Sequence, residues 1–235
     1  MSFLTAEWRK LILINYNIDP EILAPYVPNG TELDFYNNTC YVSIVGFLFQ
    51  ETKLLGIKIP FHSNFEEVNL RFYVRHKENN HWKRGVVFIK ELVPKPALTL
   101  VANSIYKENY QTVPMQHTWE SNPDSQKVEY KWVIKNKAQK INIISQPITK
   151  TITTGTEEEF ITEHYFGYTK QNDNTYEYEV KHPKWKHYPV LEYNIDVDFE
   201  LNYGSNFKFL NNQEPLSVLL AEGSEIAVEN KTHIC

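Results

Sequence analysis

The stretch Glu67-Val68-Asn69-Leu70-Arg71-Phe72-Tyr73-Val74 alternates polar and apolar side chains. Because successive side chains of a β-strand point to opposite faces, this pattern predicts a strand with two different faces. The apolar face comprises Val68, Leu70, Phe72 and Val74. The other face carries an acid, an amide, a guanidinium and a phenol: Glu67, Asn69, Arg71 and Tyr73.

The remaining segments predict a chain dominated by strands. Further strand signals occur at Trp8–Tyr16, Gly85–Val93 and Lys127–Lys135, and a hairpin signal occurs at the Asn37-Asn38 pair. Helical signals occur in a short segment that begins at Asp19 and in residues 97–106, and Gly155-Thr156-Glu157 is at most a further helix start. Because helices do not alternate with strands, a parallel doubly wound sheet is not expected.

These elements predict one α+β, mainly β domain over residues 1–235. We expect one continuous, mostly antiparallel sheet curled into a cone or barrel, with two or three short helices. The 235-residue chain is long enough to bury a full core without disulfides.

Composition and charge exclude several classes of protein. The net charge is -5 and no basic patch occurs, so no nucleic-acid partner is expected. No apolar run reaches the ~20 residues of a membrane helix, and residues 1–10 lack the core of a signal peptide. Cys40 and Cys235 form no metal or redox motif. We therefore expect a cytoplasmic protein without a membrane partner, metal or cofactor.

The polar row of the first strand is the strongest candidate site. Arg71 offers a two-pronged fork for an anion, and Glu67 can act as an acid or base if its pKa is raised. Asn69 and Tyr73 would complete the row as ligand-binding residues. The alternative interpretation is a solvated face of a half-buried strand.

A second group of candidates lies on a predicted hairpin between residues 164 and 182. We favour a three-residue turn at 172–174, which keeps the aromatic side chains on the inner face and pairs His164 with His182. A two-residue turn at 173–174 would instead place His164 beside the charged row of Glu177, which we expect to face water. The candidate ligand-binding residues here are His164, Tyr168, Tyr178 and His182. The alternative is that they are satisfied core groups, and no third ligand at fixed spacing supports a metal site.

Lysines near the end of a buried strand form a third group. Lys90 and Lys95 flank Glu91 and the Pro94 corner. An amine that loses its charge through burial can form a Schiff base with a carbonyl. Lys95 is therefore a candidate catalytic residue beside Glu67, and the alternative is a solvated lysine.

Several motifs together resemble the YqjF-like family of uncharacterised bacterial proteins. They span nearly the whole chain and are Phe3–Arg9, Pro60–His62, Asn64–Arg71, Arg84–Phe88, Glu163–Tyr165, Gly167-Tyr168, Tyr178–Trp185 and Leu220–Ser224. The family is related in fold to acetoacetate decarboxylase, which implies a cone-shaped antiparallel sheet around an internal pocket.

The same resemblance implies roles for individual residues. Glu67 resembles the pocket glutamate of the decarboxylase, and Lys90-Glu91 resembles its Arg-Glu pair. Pro94-Lys95 resembles the start of its tandem lysine pair, in which one lysine lowers the pKa of the Schiff-base lysine beside it. Here Pro96 occupies the second position. We therefore expect Lys95 to be partly exposed and not to form a Schiff base.

Three functions remain open from the sequence. The first is an internal pocket for a small carbonyl or carboxylate compound, with decarboxylase-like chemistry. The second is a non-enzymatic binding domain that has lost the Schiff-base lysine. The third is an oligomeric scaffold without a pocket. The sequence leaves open both a homo-oligomer and the question of whether any reaction is catalysed.

Overall fold

The computed structural model describes residues 2–106 and 108–235. Its strands are β1 (Leu4–Asn17), β2 (Thr31–Leu33), β3 (Phe35–Tyr36), β4 (Thr39–Leu54), β5 (Ile57–Lys58), β6 (Phe65–Glu78), β7 (His81–Val93), β8 (Tyr110–Thr112), β9 (Met115–Ser121), β10 (Gln126–Ile134), β11 (Lys137–Ser145), β12 (Lys150–Thr151), β13 (Phe166–Gln171), β14 (Asn174–Lys181), β15 (Lys186–Tyr188), β16 (Val190–Asp196), β17 (Ser217–Val228) and β18 (Thr232–His233).

The helices are short. They are α1 (Pro20–Leu23), α2 (Pro96–Val101), α3 (Glu157–Thr162) and α4 (Phe199–Tyr203), with 3₁₀ turns at Ala24–Tyr26 and Ser205–Asn212 and a π-helical turn at Ala102–Tyr106. Both predicted helical segments are present. Asp19 caps α1, as predicted, and the second helix begins at Pro96, one residue earlier than predicted. In the part of the chain described, no helix has the length and apolarity needed to cross a bilayer.

Seven of the described strands form a closed ring. In spatial order they are β17, β1, β4, β6, β7, β13 and β14, and β14 pairs again with β17. All neighbouring pairs in this ring are antiparallel except β7 with β13. The predicted fold class, a curled and mainly antiparallel sheet, is therefore confirmed.

A second sheet covers one side of the ring. It contains β9, β10, β11 and β16 in the described ranges, and it is not hydrogen-bonded into the large sheet. Its Tyr130, Trp132 and Ile141 share one core cluster with Leu70 and Phe72 of β6. The expectation of one continuous sheet is therefore wrong, because the outer apolar face of the ring needs a layer of its own to remove it from water.

The inner face of the ring forms a different apolar cluster. In β1, Ile12 and Ile14 pack toward the second sheet, whereas Leu11 and Leu13 pack inward. Strands buried on both faces read as nearly continuous apolar runs, which explains the sequence of β1. The same two-sided burial applies to β6, except that its inward row is polar.

The β13–β14 hairpin adopts a register that differs from both sequence-based alternatives. A two-residue turn at 172–173 pairs Gly167 with Tyr178, and Asn172 takes a positive φ of 54°. A methyl group at Gly167 would overlap the ring of Tyr178, so this glycine allows the tyrosine to lie across its strand. The predicted three-residue turn, with its pairing of His164 and His182, is therefore wrong.

The expectation that Glu177 faces water is also wrong. Glu177 is buried, and its carboxylate accepts hydrogen bonds from Lys83 Nζ at 2.8 Å and from the Tyr168 hydroxyl at 2.9 Å. A buried carboxylate is tolerated here because a cation and a hydroxyl satisfy it.

Replacing Leu70 by alanine tests the second layer. Leu70 is fully buried between the two sheets, whereas Leu100 on α2 is 69% exposed. We expect Leu70→Ala to lower the free energy of unfolding by about 3 kcal/mol, as is typical of a buried leucine. The matched Leu100→Ala change should stay within about 0.5 kcal/mol. Urea unfolding measures both, and equal effects would contradict the two-layer arrangement.

Candidate functional site

The ring surrounds a cavity of about 230 Å³. Its walls are mainly apolar and include the aromatic side chains of Trp8, Phe47, Phe49, Phe65, Phe88 and Trp185. Its polar lining comprises Thr52, His62, Glu67, Asn69, Arg71, Glu91, Glu108, Tyr110, Thr162, His164, Tyr178 and His182. A mostly apolar cavity with a few convergent polar groups is typical of a small-molecule site.

The polar row of β6 supplies three of these groups. Glu67, Asn69 and Arg71 are at most 8% exposed, and all three line the cavity. Asn69 Nδ2 donates to Glu67 Oε1 at 2.9 Å, and the Tyr110 hydroxyl lies 3.4 Å from Glu67 Oε2. Arg71 Nη2 donates to the carbonyl of Ile161 at 3.2 Å. The alternation in the sequence therefore places these three side chains inside the molecule, with neighbours that hold them.

Three carboxyl groups meet at this end of the cavity. Glu91 lies directly opposite Asn69 in the β6–β7 pairing, and Glu108 accepts a hydrogen bond from Thr169 Oγ1 at 2.5 Å. Burial raises the pKa of Glu67 and that of Glu108 to about 7 each. Burial and the neighbouring carboxylates raise the pKa of Glu91 well above its usual value. The cluster therefore holds protons near neutral pH, as acid–base groups must.

The geometry does not suggest a metal centre for these carboxyls. In residues 2–106 and 108–235, no three His, Cys, Asp or Glu side chains are arranged to hold a metal ion. The chemistry that the three carboxyls offer by themselves is hydrogen bonding and proton transfer.

The two histidines predicted as ligand-binding residues both line the cavity. His164 Nε2 lies 3.1 Å from Asp34 Oδ2, which also accepts from Arg84 Nε at 2.6 Å. His182 stacks on Trp185, with ring centroids 4.3 Å apart. Burial lowers the pKa of each imidazole to about 4, so both are neutral at pH 7. Neutral rings can donate or accept one hydrogen bond at each nitrogen according to tautomer.

Other predicted site residues lie outside the cavity lining. Tyr73 is buried behind it, with its hydroxyl 2.8 Å from Ser43 Oγ and its ring 4.8 Å from that of His164. Tyr168 points to the opposite side of the sheet and donates to Glu177. Lys95 is half-buried at the N-terminus of α2. In the described ranges, no lysine lines the cavity.

Buried polar atoms without a hydrogen-bond partner concentrate at the cavity. Of the eight such side-chain atoms in the described part of the chain, six belong to cavity-lining residues. They are Trp8 Nε1, Thr52 Oγ1, Asn69 Oδ1, Arg71 Nε, Glu91 Oε2 and His164 Nδ1. Because an unsatisfied buried polar group costs about 1–3 kcal/mol, this distribution favours a polar molecule in the cavity.

The sequence interpretation missed two site groups, Glu108 and Tyr110, and it noted Glu91 only beside the lysines and through the Arg-Glu resemblance. For Glu91 a signal existed, because Lys90 and Glu91 are the two charged residues in the otherwise apolar stretch of residues 85–93. Glu108 and Tyr110 follow α2 in a segment without periodicity, so only the tertiary structure brings them to Glu67.

The raised pKa of Glu67 predicts a pH-dependent stability. The unfolded carboxyl releases its proton near pH 4.5 and the folded one near pH 7, so the unfolded state binds fewer protons between these values. Stability therefore falls as the pH rises through this window, by on the order of 3 kcal/mol for this group. We expect Glu67→Gln to be close to the wild type at pH 4 and more stable at pH 8, in urea unfolding.

The neighbouring Glu66 provides a control of opposite sign. Burial raises its pKa, but a hydrogen bond with His117 at 2.6 Å and other contacts more than offset this, and the net pKa is lowered. Glu66→Gln should therefore lose stability at pH 8 and converge on the wild type in acid. A Glu67→Gln variant less stable than the wild type at pH 8 would show that the Glu67 carboxyl is ionised without penalty.

Solved structures with the same fold cover nearly the whole chain. Acetoacetate decarboxylase from Legionella pneumophila aligns with a TM-score of 0.65 over 99% of this chain and 87% of its own, at 11% identity. The enduracididine biosynthesis enzyme MppR, complexed with pyruvate, aligns with a TM-score of 0.68 over 99% of this chain and 91% of its own, at 8% identity. At these identities the likeness establishes an acetoacetate decarboxylase-like fold.

Sequence comparison identifies a relative with higher identity than these structures. The uncharacterized protein YqjF of Bacillus subtilis (strain 168) is 27% identical over 199 residues, which is 83% of this chain and 77% of YqjF. This agrees with the resemblance carried by the motifs. The model of the DUF2071 family, described as an uncharacterized conserved protein, matches residues 5–225, and the chain therefore belongs to that family.

Proposed function

We propose that the cavity binds a small carbonyl or carboxylate compound and that Glu67 exchanges a proton with it. Arg71 is the anchor for the oxygen that carries negative charge, because a guanidinium binds carboxylates with two donors. The observation that carries the proposal is the buried Glu67 carboxyl, with a pKa of about 7, in the same row and cavity as Arg71. The pyruvate complex of MppR is in keeping with this class of ligand for the fold.

A carboxyl with a pKa near the working pH suits both directions of proton transfer. The amide of Asn69 orients Glu67 by donating to Oε1, and the Tyr110 hydroxyl donates to the other carboxylate oxygen, Oε2. Removing a proton from the carbon next to a carbonyl leaves negative charge on the carbonyl oxygen, which Arg71 can stabilise. The reaction class that fits best is therefore proton transfer next to a carbonyl group.

The second candidate is a binding domain without chemistry. It is favoured by the lining of the cavity, in which the described residues include no lysine. Lys95 instead acts on Glu66, outside the cavity, whose pKa it helps to lower. The two candidates share the ligand class and differ in whether Glu67 moves a proton.

Exchange of the methyl protons of pyruvate in D₂O tests the first candidate. We expect the wild type to accelerate the loss of the methyl signal in proton NMR, and Glu67→Gln to slow it by at least about 100-fold. Glu66→Gln, one residue away and outside the cavity, should retain the wild-type rate. Exchange that persists in Glu67→Gln would remove Glu67 from the reaction, and tight binding without exchange would favour the second candidate.

Binding of pyruvate tests the anchor. Arg71→Lys keeps the positive charge but loses the fork, so we expect its affinity to fall by about 10-fold. Arg75, on the same strand, is paired with Glu32 outside the cavity, and Arg75→Lys should bind as the wild type does. Unchanged affinity in Arg71→Lys would contradict the assignment of the anchor.

Borohydride trapping tests the lysine chemistry. We expect incubation with acetoacetate and borohydride to leave Lys95 unmodified, because Lys95 does not line the cavity. Peptide mapping of the wild type and of Lys95→Arg provides the measurement. An adduct on Lys95 that disappears in Lys95→Arg would restore a Schiff-base mechanism.

A further inference from the structure

Two unpartnered acceptor atoms belong to neighbouring side chains of the cavity wall. Asn69 and Glu91 are direct partners across the β6–β7 pairing, and directly opposite side chains of antiparallel strands lie about 5 Å apart. Asn69 Oδ1 and Glu91 Oε2 are buried and have no hydrogen-bond partner in the described ranges, although both side chains line the cavity. Both residues are no more than 2% exposed, so bulk water does not satisfy these oxygens.

The orientation of the Asn69 amide follows from its neighbour. Its Nδ2 donates to Glu67 Oε1, which leaves Oδ1 as an acceptor. A protonated Glu91 can donate one O–H, whereas an ionised Glu91 can only accept, and its Oε2 has no hydrogen-bond partner in the described ranges. When Glu91 is ionised, the two acceptors therefore need a donor that carries more than one N–H group and preferably a positive charge.

We propose that Asn69 and Glu91 form a subsite for a protonated amine, so that the ligand is a small amino-carboxylate or amino-carbonyl compound with an apolar side chain. This inference rests on the proposed function, because it keeps Arg71 as the anchor for the negatively charged oxygen. The side chain of the ligand would pack against the aromatic wall of Trp8, Phe47 and Phe49.

The spacing of the row fits such a ligand. Residues two apart on a strand are separated by roughly 6–7 Å, so Arg71 and Asn69 present an anion site and an amine site one repeat apart. Glu67 follows one further repeat along the same row, on the side of Asn69 away from Arg71. The order of functions along β6 is then anion anchor, amine acceptor and proton-transfer group.

The charges of the lining support the same assignment. Three carboxyls face one guanidinium at this end of the cavity: Glu67, Glu91 and Glu108 against Arg71. Burial and mutual repulsion raise the pKa of Glu91 well above its usual value in the free protein. An ammonium bound between these groups would stabilise the ionised form of Glu91, so the carboxyl would release its proton to solvent as the amine binds.

A set of three probes separates the amine subsite from the anion anchor. L-phenylalanine carries the carboxylate, the amine and an apolar ring; 3-phenylpropionate lacks the amine; phenethylamine lacks the carboxylate. We expect the wild type to bind phenylalanine at least about 10-fold more tightly than 3-phenylpropionate, by isothermal titration calorimetry, as one charged hydrogen bond provides. Glu91→Gln should abolish this preference, and the control Glu66→Gln should keep it.

Proton release provides a second measurement that needs no variant. Titrations of the wild type at neutral pH in two buffers of different ionisation enthalpy should show protons released on binding phenylalanine and phenethylamine but not on binding 3-phenylpropionate. Besides Glu91, the groups that can contribute are those facing it: Glu67 on β6, Glu108 and Tyr110 around β8, and Tyr178 on β14.

The outcomes distinguish this inference from the proposed function. Equal affinity for phenylalanine and 3-phenylpropionate, without proton release, would overturn the amine subsite while leaving an Arg71-anchored carboxylate site intact. Loss of the preference in Glu66→Gln as well as in Glu91→Gln would also overturn it. If none of the three probes binds and Arg71→Lys leaves pyruvate binding unchanged, both the subsite and the proposed function fail.

Discussion

The burial of a polar row on a strand whose other face is fully apolar is the constraint on which the structure depends. Strand β6 presents Val68, Leu70 and Phe72 to the second sheet and Glu67 and Asn69 to the inside of the ring. Neither face can be exposed without loss, since one would put apolar surface in water and the other needs partners for its polar groups. A closed ring with an outer layer and an inner cavity satisfies both requirements at once.

The site follows from this arrangement because side chains from other segments lie next to the inward row of β6, Glu67, Asn69 and Arg71. Glu91 reaches it across the β6–β7 pairing, and Tyr110 arrives after α2, with its hydroxyl close to Glu67. Burial disfavours the ionised forms of Glu67, Glu91 and Glu108, which raises their pKa values and keeps protons on these carboxyls near neutral pH. Gly167 on β13 also shapes the site. Because it has no side chain, the ring of Tyr178 can lie across this strand.

The likeness in fold and the chemistry of the site support conclusions of different kinds. The solved structures share the ring at 8–11% identity, which establishes architecture but no reaction. In the described ranges the cavity lining presents carboxyls, an amide and a guanidinium. The chemistry of these groups supports the proposal that a small polar molecule is bound and exchanges a proton.

The local pattern of the sequence determined the strands, the two-faced character of β6 and the cavity row of Glu67, Asn69 and Arg71, because strand periodicity depends only on neighbouring residues. It also determined the cap at Asp19 and the turn at Asn37-Asn38. The second sheet, the register of the β13–β14 hairpin and the burial of Glu177 were decided by the tertiary structure. Each depends on contacts between distant segments, such as the packing of Trp132 against the ring or the hydrogen bond of Lys83 with Glu177. The periodicity of a single segment does not predict such contacts. For the same reason the meeting of Glu91, Glu108 and Tyr110 around Glu67, which gives the cavity its acid–base character, became visible only in the folded chain.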